Sequence, residues 1–227
     1  MAAATGDYIS KAIKVCYIDE NRGHGYRATK DIPKNHVILI ENARIFSEID
    51  RPAEIKDMLC IIYKILMSSS KIINQFLAMV PKSLSDASNI IDYTVLSNAL
   101  NCSREYIRSY LGSIDPELLC LYCAKFMQNA FNCNNPMILF KGALFNHSCQ
   151  PNVTFIYDKQ SAYFITLRQI KKGEEICDHY TDLRRSITDS HYFLKHQYGF
   201  VCKCNGTKNA ESIYKLRNSC PQDYPLF

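Results

Sequence analysis

Three short segments in the carboxyl-terminal half of the chain hold the residue types that chemistry needs. They read NHSCQPN at 146–152, GEEI leading to a tyrosine at 173–180, and YGFVCKC at 198–204. Imidazole and thiol groups act as bases, nucleophiles or metal ligands, whereas a phenol orients reacting groups through hydrogen bonds. Each segment alone has low specificity. Their order and spacing together indicate one site that is assembled from separate parts of the chain.

A fourth segment lies far upstream and reads RGHGYRA at 22–28. Its two glycines, Gly23 and Gly25, permit positive φ angles and the close approach of a ligand to the backbone. The glycines lie about 120 residues before the NHSC segment, and an extended apolar run follows them at 36–41. This pattern predicts a glycine-rich turn between strands that lines a ligand site.

The pair His147 and Cys149 permits a second interpretation, as the base and nucleophile of a hydrolase. Residues two apart in an extended segment point to the same side, so the two side chains can meet. A cysteine nucleophile also needs a third group that orients its base. The sequence offers neither a partner motif nor an oxyanion-hole signature, so we consider this the weaker hypothesis.

Composition limits the class of protein. A chain of 227 residues with 47% hydrophobic residues is long enough for one core with a sizeable insertion. The net charge of +5 is mild and the basic residues are scattered, so a nucleic-acid partner is not indicated. No apolar run reaches about 18 residues, and we expect no membrane partner.

The eleven cysteines are odd in number and irregular in spacing. No apolar region typical of a secretory signal precedes them. We therefore expect a reducing compartment, in which cysteines serve as core residues or metal ligands instead of disulfides. The CxxC pair Cys120 and Cys123 falls on a predicted helix without a second pair nearby, which favours a structural role.

Hydrophobic periodicity predicts strands at both ends of the chain and helices between them. Strands are expected at 14–18, 36–41, 137–140, 141–145, 153–157, 163–167 and 176–180. From about residue 54 to 128, apolar residues recur at helical spacing, with one helix expected over 88–100. Asp115 followed by Pro116 predicts the start of the last helix of this block.

In this order the three later segments resemble the catalytic half of a SET domain, the fold of protein-lysine methyltransferases, and the RGHG segment is similar to the opening of that domain. The tail after Tyr180 is most similar to the SET-and-MYND (SMYD) branch, and the resemblance covers residues 14–48 and 125–206. A MYND finger needs seven cysteines and a histidine at close spacing, which residues 46–117 do not supply. We therefore expect both the finger and the carboxyl-terminal helical domain of that branch to be absent.

The resemblance implies a mainly β (α+β) fold, the SET-domain β-clip with a pseudoknot. In that fold the 146–152 segment and the segment after Tyr180 cross, which is one of the rare threaded topologies. The SET domain would span 8–200 with a helical insertion at about 50–130. A short cysteine-containing post-SET-like tail would follow at 201–227.

The resemblance also implies S-adenosylmethionine as cofactor and transfer of its methyl group to a lysine of a protein. Tyr180 would be the catalytic tyrosine, and Tyr198 and Phe131 would line the substrate channel. The residues that would bind the cofactor are Arg22, Gly23, His24, Gly25, Asn129, Asn146, His147 and Phe200.

One structural zinc ion is a further implication of the SMYD resemblance. Cys149 would join Cys202 and Cys204, but Thr207 occupies the position of the third tail cysteine. Three thiolates are one ligand short of a closed structural site. Cys220 is a candidate for the fourth ligand, and a water ligand or loss of the zinc are the alternatives.

The predicted partner is a protein substrate, either a histone tail or another lysine-bearing protein, and the chain is expected to be a monomer. The nucleus, the cytoplasm or both are the expected locations. The alternative function is a catalytically inactive SET-fold interaction module that regulates or binds a protein or nucleic acid. The incomplete zinc tail favours this alternative, whereas the RGHG, NHSC and GEE segments oppose it.

Overall fold

The structure is a computed structural model that describes residues 6–45, 54–131, 136–158, 160–182, 185–202, 210–220 and 224–226. Apolar and alternating segments near the two ends of the chain form strands, and the segment with helical periodicity forms helices. The strands are β1 (Tyr8–Ile9), β2 (Ile13–Asp19), β3 (Gly23–Ala28), β4 (Val37–Asn42), β5 (Ala130–Phe131), β6 (Met137–Ile138), β7 (Asn146–His147), β8 (Val153–Asp158), β9 (Ser161–Thr166) and β10 (Glu175–Asp178).

Among the described residues, five α-helices form the central block of the chain, and two further α-helices follow near its carboxyl-terminal end. They are α1 (Ile55–Leu66), α2 (Ser70–Leu77), α3 (Tyr93–Asn101), α4 (Glu105–Leu111), α5 (Pro116–Asn129), α6 (Ile187–Tyr198) and α7 (Ala210–Arg217). In the described part of the chain, no helix is both long enough and apolar enough to cross a membrane.

The chain divides into two units. The β unit comprises Met1–Ala43, Lys141–Leu194 and Val201–Phe227, and the helical unit comprises Arg44–Phe140 and Lys195–Phe200. The described tail residues therefore belong to the β unit. The boundary between a SET domain at 8–200 and a tail at 201–227 remains a prediction.

Two four-stranded sheets make up the β unit. One has the strand order β1-β4-β9-β8, and all of its neighbours are antiparallel. The other has the order β2-β3-β10-β7, and its β10–β7 pair is parallel. The strands β8 and β9 form a hairpin, in which Asp158 pairs with Ser161.

Aromatic side chains fill the core of the β unit. The ring centroids of Tyr26 on β3 and Phe145 are 4.6 Å apart, and those of Phe145 and Phe164 on β9 are 4.7 Å apart. All three side chains are almost completely buried. Phe145 therefore joins strands of the two sheets through ring packing, which is a large apolar contribution for each residue.

The helical unit has its own apolar core, formed mainly by α1, α3, α4 and α5. The predicted start of α5 is confirmed, because the Asp115 carboxylate accepts hydrogen bonds from the amides of Glu117 and Leu118. The helix expected over 88–100 instead begins at Tyr93. Asp92 caps it by accepting a hydrogen bond from the Thr94 amide at 2.7 Å.

The segment 141–145 is a 3-10 turn at Gly142–Leu144, so the extended conformation predicted for it is wrong. The buried Glu41 carboxylate on β4 explains the turn. It accepts hydrogen bonds from the Lys141 amide at 2.9 Å and the Gly142 amide at 2.7 Å. This interaction joins residues about 100 positions apart, so local sequence patterns did not contain it.

Candidate active site

The glycine turn predicted at 22–25 joins β2 to β3. Gly23 has a φ of +65°, a backbone conformation that residues other than glycine rarely adopt. Gly25 serves a different purpose, because a Cβ atom there would lie 2.4 Å from the Asn146 Nδ2 and 3.1 Å from the Ile18 Cγ1. The absence of a side chain at Gly25 therefore lets the 146–152 segment approach β3.

Arg22 holds this turn in place through two carboxylates. Its Nε donates to the Asp19 Oδ2 at 2.8 Å, and its Nη1 donates to the Glu175 carboxylate. The hydrogen bond with Asp19 is the main cause of the raised pKa of Arg22, so the guanidinium stays charged. Arg22 thus has a structural role here, and its contact with a cofactor remains a prediction.

Glu175 is a site residue that the sequence analysis did not single out, although it is the second glutamate of the GEE segment. Besides Arg22, its carboxylate accepts a hydrogen bond from the Asn146 Nδ2 at 3.0 Å. The same Asn146 nitrogen lies 3.4 Å from the His24 carbonyl oxygen. Glu175 therefore connects the glycine turn with the NHSC segment.

The NHSC and GEE segments run side by side. The strands β7 and β10 pair Asn146 with Cys177 and His147 with Asp178. Beyond this pair, the Ser148 amide donates to the Asp178 carbonyl oxygen at 2.8 Å. The Asn152 side chain accepts from the Cys177 amide at 2.8 Å, which fixes the register between the two segments.

Tyr180 follows β10 and is held at two points in the β unit. Its hydroxyl donates to the Phe145 carbonyl oxygen at 2.7 Å. Its amide donates to the His147 Nδ1 at 3.0 Å, and the two rings make an edge contact with centroids 5.3 Å apart. A phenol that donates its proton to a carbonyl keeps its oxygen lone pairs as acceptors.

His147 has its tautomer fixed by this arrangement. Because the Nδ1 accepts from the Tyr180 amide, the hydrogen of the neutral ring belongs on the Nε2. The Nε2 lies 3.2 Å from the Cys149 Sγ and donates towards it. Burial lowers the pKa of His147 to about 3, so the ring is neutral at pH 7.

The tautomer of His147 argues against the hydrolase hypothesis. A general base must accept the proton of its nucleophile through a free lone pair. The nitrogen of His147 that faces Cys149 carries a hydrogen, and the other nitrogen is engaged by the Tyr180 amide. His147 therefore acts as a connector between Tyr180 and Cys149 instead of a base.

Cys149 belongs to a cluster of possible metal ligands that the sequence analysis found only in part. Within the described residues, the ligand atoms of His147, Cys149 and His179 lie within 4.8 Å of one another. The His179 Nδ1 donates to the Thr181 carbonyl oxygen at 2.8 Å, which places the ring lone pair on the Nε2. Burial lowers the pKa of His179 to about 4.

The donors in this cluster are of the kind that zinc prefers, namely thiolate sulfur and imidazole nitrogen. Cys202 is half-buried and Cys220 is exposed, and neither belongs to the cluster. Cys204 lies outside the described residues. The set of Cys149, Cys202, Cys204 and Cys220 therefore remains a prediction.

Four predicted site residues belong to the helical unit instead of the β unit. Asn129 ends α5, where its Nδ2 donates to the Val80 carbonyl oxygen at 2.6 Å and to the Lys125 carbonyl oxygen at 2.8 Å. Phe131 lies on β5 opposite Met137. Their roles at the cofactor and in the substrate channel remain predictions.

Tyr198 and Phe200 are the other two residues in the helical unit. Two rings separated by one residue face the same side of an extended chain, but Tyr198 is the last residue of α6. Gly199 follows the helix with a φ of +79°, and the two ring centroids are 6.3 Å apart. The glycine is the sequence signal for the end of the helix.

A family profile and the similar known proteins point to the same protein family. The SET-domain family profile matches residues 23–181. The SET domain-containing protein L678 of Acanthamoeba polyphaga mimivirus is 34% identical over 202 residues, which cover 86% of this chain and 77% of that protein. The human N-lysine methyltransferase SMYD2 is 31% identical over 106 residues, covering 44% of this chain and 24% of SMYD2.

Solved structures show the same fold. The structure of Rubisco LSMT bound to AdoMet superposes with a TM-score of 0.54 at 22% identity, covering 85% of this chain and 52% of that one. The chain therefore spans about half of Rubisco LSMT and about a quarter of SMYD2. The predicted mainly β SET fold with a helical insertion is confirmed. On the extent of the profile match and the similarity to the mimivirus protein, the chain belongs to the SET-domain family.

Proposed function

We propose that this protein is an S-adenosylmethionine-dependent methyltransferase that methylates lysine side chains of proteins. The observation that carries the proposal is the placement of Tyr180, whose hydroxyl donates to the Phe145 carbonyl oxygen while its backbone is bound to His147. The names of similar proteins support it, since they include N-lysine methyltransferase SMYD2 and Rubisco LSMT bound to AdoMet.

The glycine turn fits the proposed cofactor. Gly23 has a positive φ that residues other than glycine rarely adopt, and Gly25 has no Cβ atom that would crowd Asn146. We assign cofactor binding to this turn, to Asn146 and His147, and to Asn129 and Phe200 of the helical unit. When bound, S-adenosylmethionine supplies a sulfonium methyl group whose carbon–sulfur bond breaks as a carbon–nitrogen bond to lysine forms.

Tyr180 orients the reacting amine in this proposal. The Tyr180 hydroxyl uses its hydrogen in the bond to the Phe145 carbonyl oxygen, so its oxygen lone pairs accept a hydrogen bond from the lysine amine. It is not the base, since a phenol and a lysine have similar ordinary pKa values of about 10. The lysine loses its proton to solvent before attack, and alignment of the neutral amine provides much of the rate acceleration.

The proposed substrate is a histone tail or another lysine-bearing protein. We propose that the enzyme acts as a monomer in the nucleus, the cytoplasm or both. Tyr198 and Phe131 are the proposed walls of the lysine channel, where aromatic faces attract an alkyl-ammonium group. The competing proposal is an inactive SET-fold module that binds a protein or nucleic acid.

Transfer of a labelled methyl group from S-adenosylmethionine to histones and to total cell protein tests the proposal. We expect label on lysine after acid hydrolysis, and calorimetry should show binding of the cofactor. Cofactor binding without transfer to any protein fraction would support the inactive module. Absence of both in a folded sample would contradict the proposed function.

We further propose that a structural zinc ion joins Cys149 to the tail, with Cys202 and Cys204 as ligands. His179 is a better fourth ligand than Cys220, because one of its ring nitrogens lies within 4.8 Å of the Cys149 Sγ. The hydrogen bond from the His179 Nδ1 to the Thr181 carbonyl oxygen orients the ring as metal-bound histidines usually are.

Zinc content by mass spectrometry of the intact protein separates the two candidate ligands. We expect a single equivalent in the wild type and in Cys220→Ser, and none in Cys149→Ser. His179→Ala should lose the metal, whereas His179→Cys should retain it because thiolate is an equally good zinc ligand. Loss of zinc in Cys220→Ser with retention in His179→Ala would assign the ligand to Cys220 instead.

A further inference from the structure

The helix α7 (Ala210–Arg217) received no role from the sequence, yet it is anchored in the β unit. Ile213 and Leu216 are 3% and 8% exposed, and Leu216 packs in an apolar cluster with Val37, Ile156 and Ile165. Burial of two aliphatic side chains stabilises the attachment of the helix. The helix therefore has a defined position from which its polar side chains can act.

Arg217, the last residue of α7, extends into the β unit towards the strand that precedes Tyr180. Its Nε donates to the Thr154 Oγ1 at 2.8 Å, and its guanidinium lies 4.8 Å from the centroid of the Phe155 ring. Its Nη2 lies 3.7 Å from the Oδ1 of Asp178, the last residue of β10. The arginine is thus held on two sides while it faces the aspartate.

The Asp178 carboxylate is almost fully buried, so its charge must be compensated inside the protein. The Asp178 Oδ1 and the Arg217 Nη2 are buried atoms without a hydrogen-bond partner among the described residues. The two atoms face each other. Pairing the buried carboxylate with the guanidinium avoids the free-energy cost of burying an isolated ion. Removal of either partner leaves the other charge uncompensated.

Tyr214 makes a second contact from the same face of α7, because residues three apart lie side by side on a helix. Its hydroxyl donates to the carboxylate of Asp182. Asp178 and Asp182 lie two residues before and two residues after Tyr180. The helix thus contacts residues that precede and follow the proposed catalytic tyrosine in the sequence.

We propose that α7 is a positioning clamp for Tyr180, with Arg217 and Tyr214 as its two contact residues. The inference rests on the proposed function for its catalytic consequence. Fixing both ends of the 178–182 segment keeps the phenol at the Phe145 carbonyl oxygen, where it orients the amine. A displacement of about 1 Å at such a point costs on the order of 100-fold in rate.

The clamp is tested with Arg217→Met, Tyr214→Phe and the double variant, which keep most of the side-chain volume. We expect the double variant to lower kcat at least tenfold, with less than twofold change in the KM for S-adenosylmethionine, because the glycine turn is untouched. Hydrogen exchange in peptides that contain 178–182 should accelerate at least tenfold. Arg217→Lys should recover part of kcat, and Lys215→Met, an exposed position on the same helix, should change neither readout.

Hydrogen exchange separates failure of the clamp from failure of the proposed function, since it needs no activity. Faster exchange at 178–182 in the double variant than in the wild type would support the clamp even if the wild type has no transferase activity, and that lack of activity would reject the function. Unchanged exchange and unchanged kcat in the folded double variant would overturn the clamp. If the double variant does not fold, the two single variants and Asp178→Asn are measured in the same way.

Discussion

Tyr180→Phe should reduce methyl transfer by on the order of 100-fold or more while leaving cofactor affinity within a few-fold of wild type. The substitution removes only the hydroxyl that donates to the Phe145 carbonyl oxygen and keeps the ring that contacts His147. The lost oxygen is the proposed acceptor that orients the lysine amine. Single-turnover transfer rates and calorimetric titration with S-adenosylmethionine measure the two quantities separately.

Tyr192→Phe is the matched control for this experiment, because Tyr192 is 65% exposed on α6 and the chemical change is identical. We expect wild-type rates in the control. A Tyr180→Phe protein with an unchanged kcat would show that the hydroxyl is not part of the catalytic machinery. A loss of cofactor binding that equals the loss of rate would assign Tyr180 to binding instead of orientation.

Gly25→Ala should weaken the binding of S-adenosylmethionine by at least tenfold, which corresponds to about 1.4 kcal/mol. The new methyl group would lie 2.4 Å from the Asn146 Nδ2, so Asn146 must move away from its hydrogen bond with Glu175. That displacement alters the junction of the glycine turn with the NHSC segment, which together form the proposed cofactor site. Calorimetric titration measures the affinity, and thermal melting reports whether the fold survives.

Gly6→Ala is the control for Gly25→Ala, because a Cβ atom at Gly6 would meet nothing within 4 Å. The double variant Gly25→Ala/Asn146→Ala removes the crowded amide and tests the mechanism of the defect. We expect it to melt at a higher temperature than Gly25→Ala while its affinity stays low, since Asn146 is itself a proposed ligand-binding residue. Full affinity in Gly25→Ala would place the cofactor away from this turn.

Local signals in the sequence were sufficient for much of the secondary structure. Asp115 and Pro116 begin α5 because a carboxylate cap and a proline without an amide hydrogen suit the first turn of any helix. The β8–β9 hairpin follows from alternating β-formers around a polar turn. The spacing of the four motifs was also sufficient to identify the SET fold, which the family match confirms.

Local signals failed where a distant residue controls the backbone. The 141–145 segment has extended character by composition, yet the Glu41 carboxylate binds two of its amides and stabilises a 3-10 turn. Tertiary contacts of this kind override weak local preferences.

The sequence by itself determined which residue types are present at the site and in what order, because motif spacing is a property of the chain. It determined the catalytic candidate Tyr180 and the ligand candidate Cys149 in this way. Only the tertiary structure decided how their polar atoms are used. The tautomer of His147, the bridging role of Glu175 and the contact of Arg217 with Asp178 each depend on groups that are distant in sequence. Hydrogen bonds and charge pairs have directions and distances, and these exist only once the chain has folded.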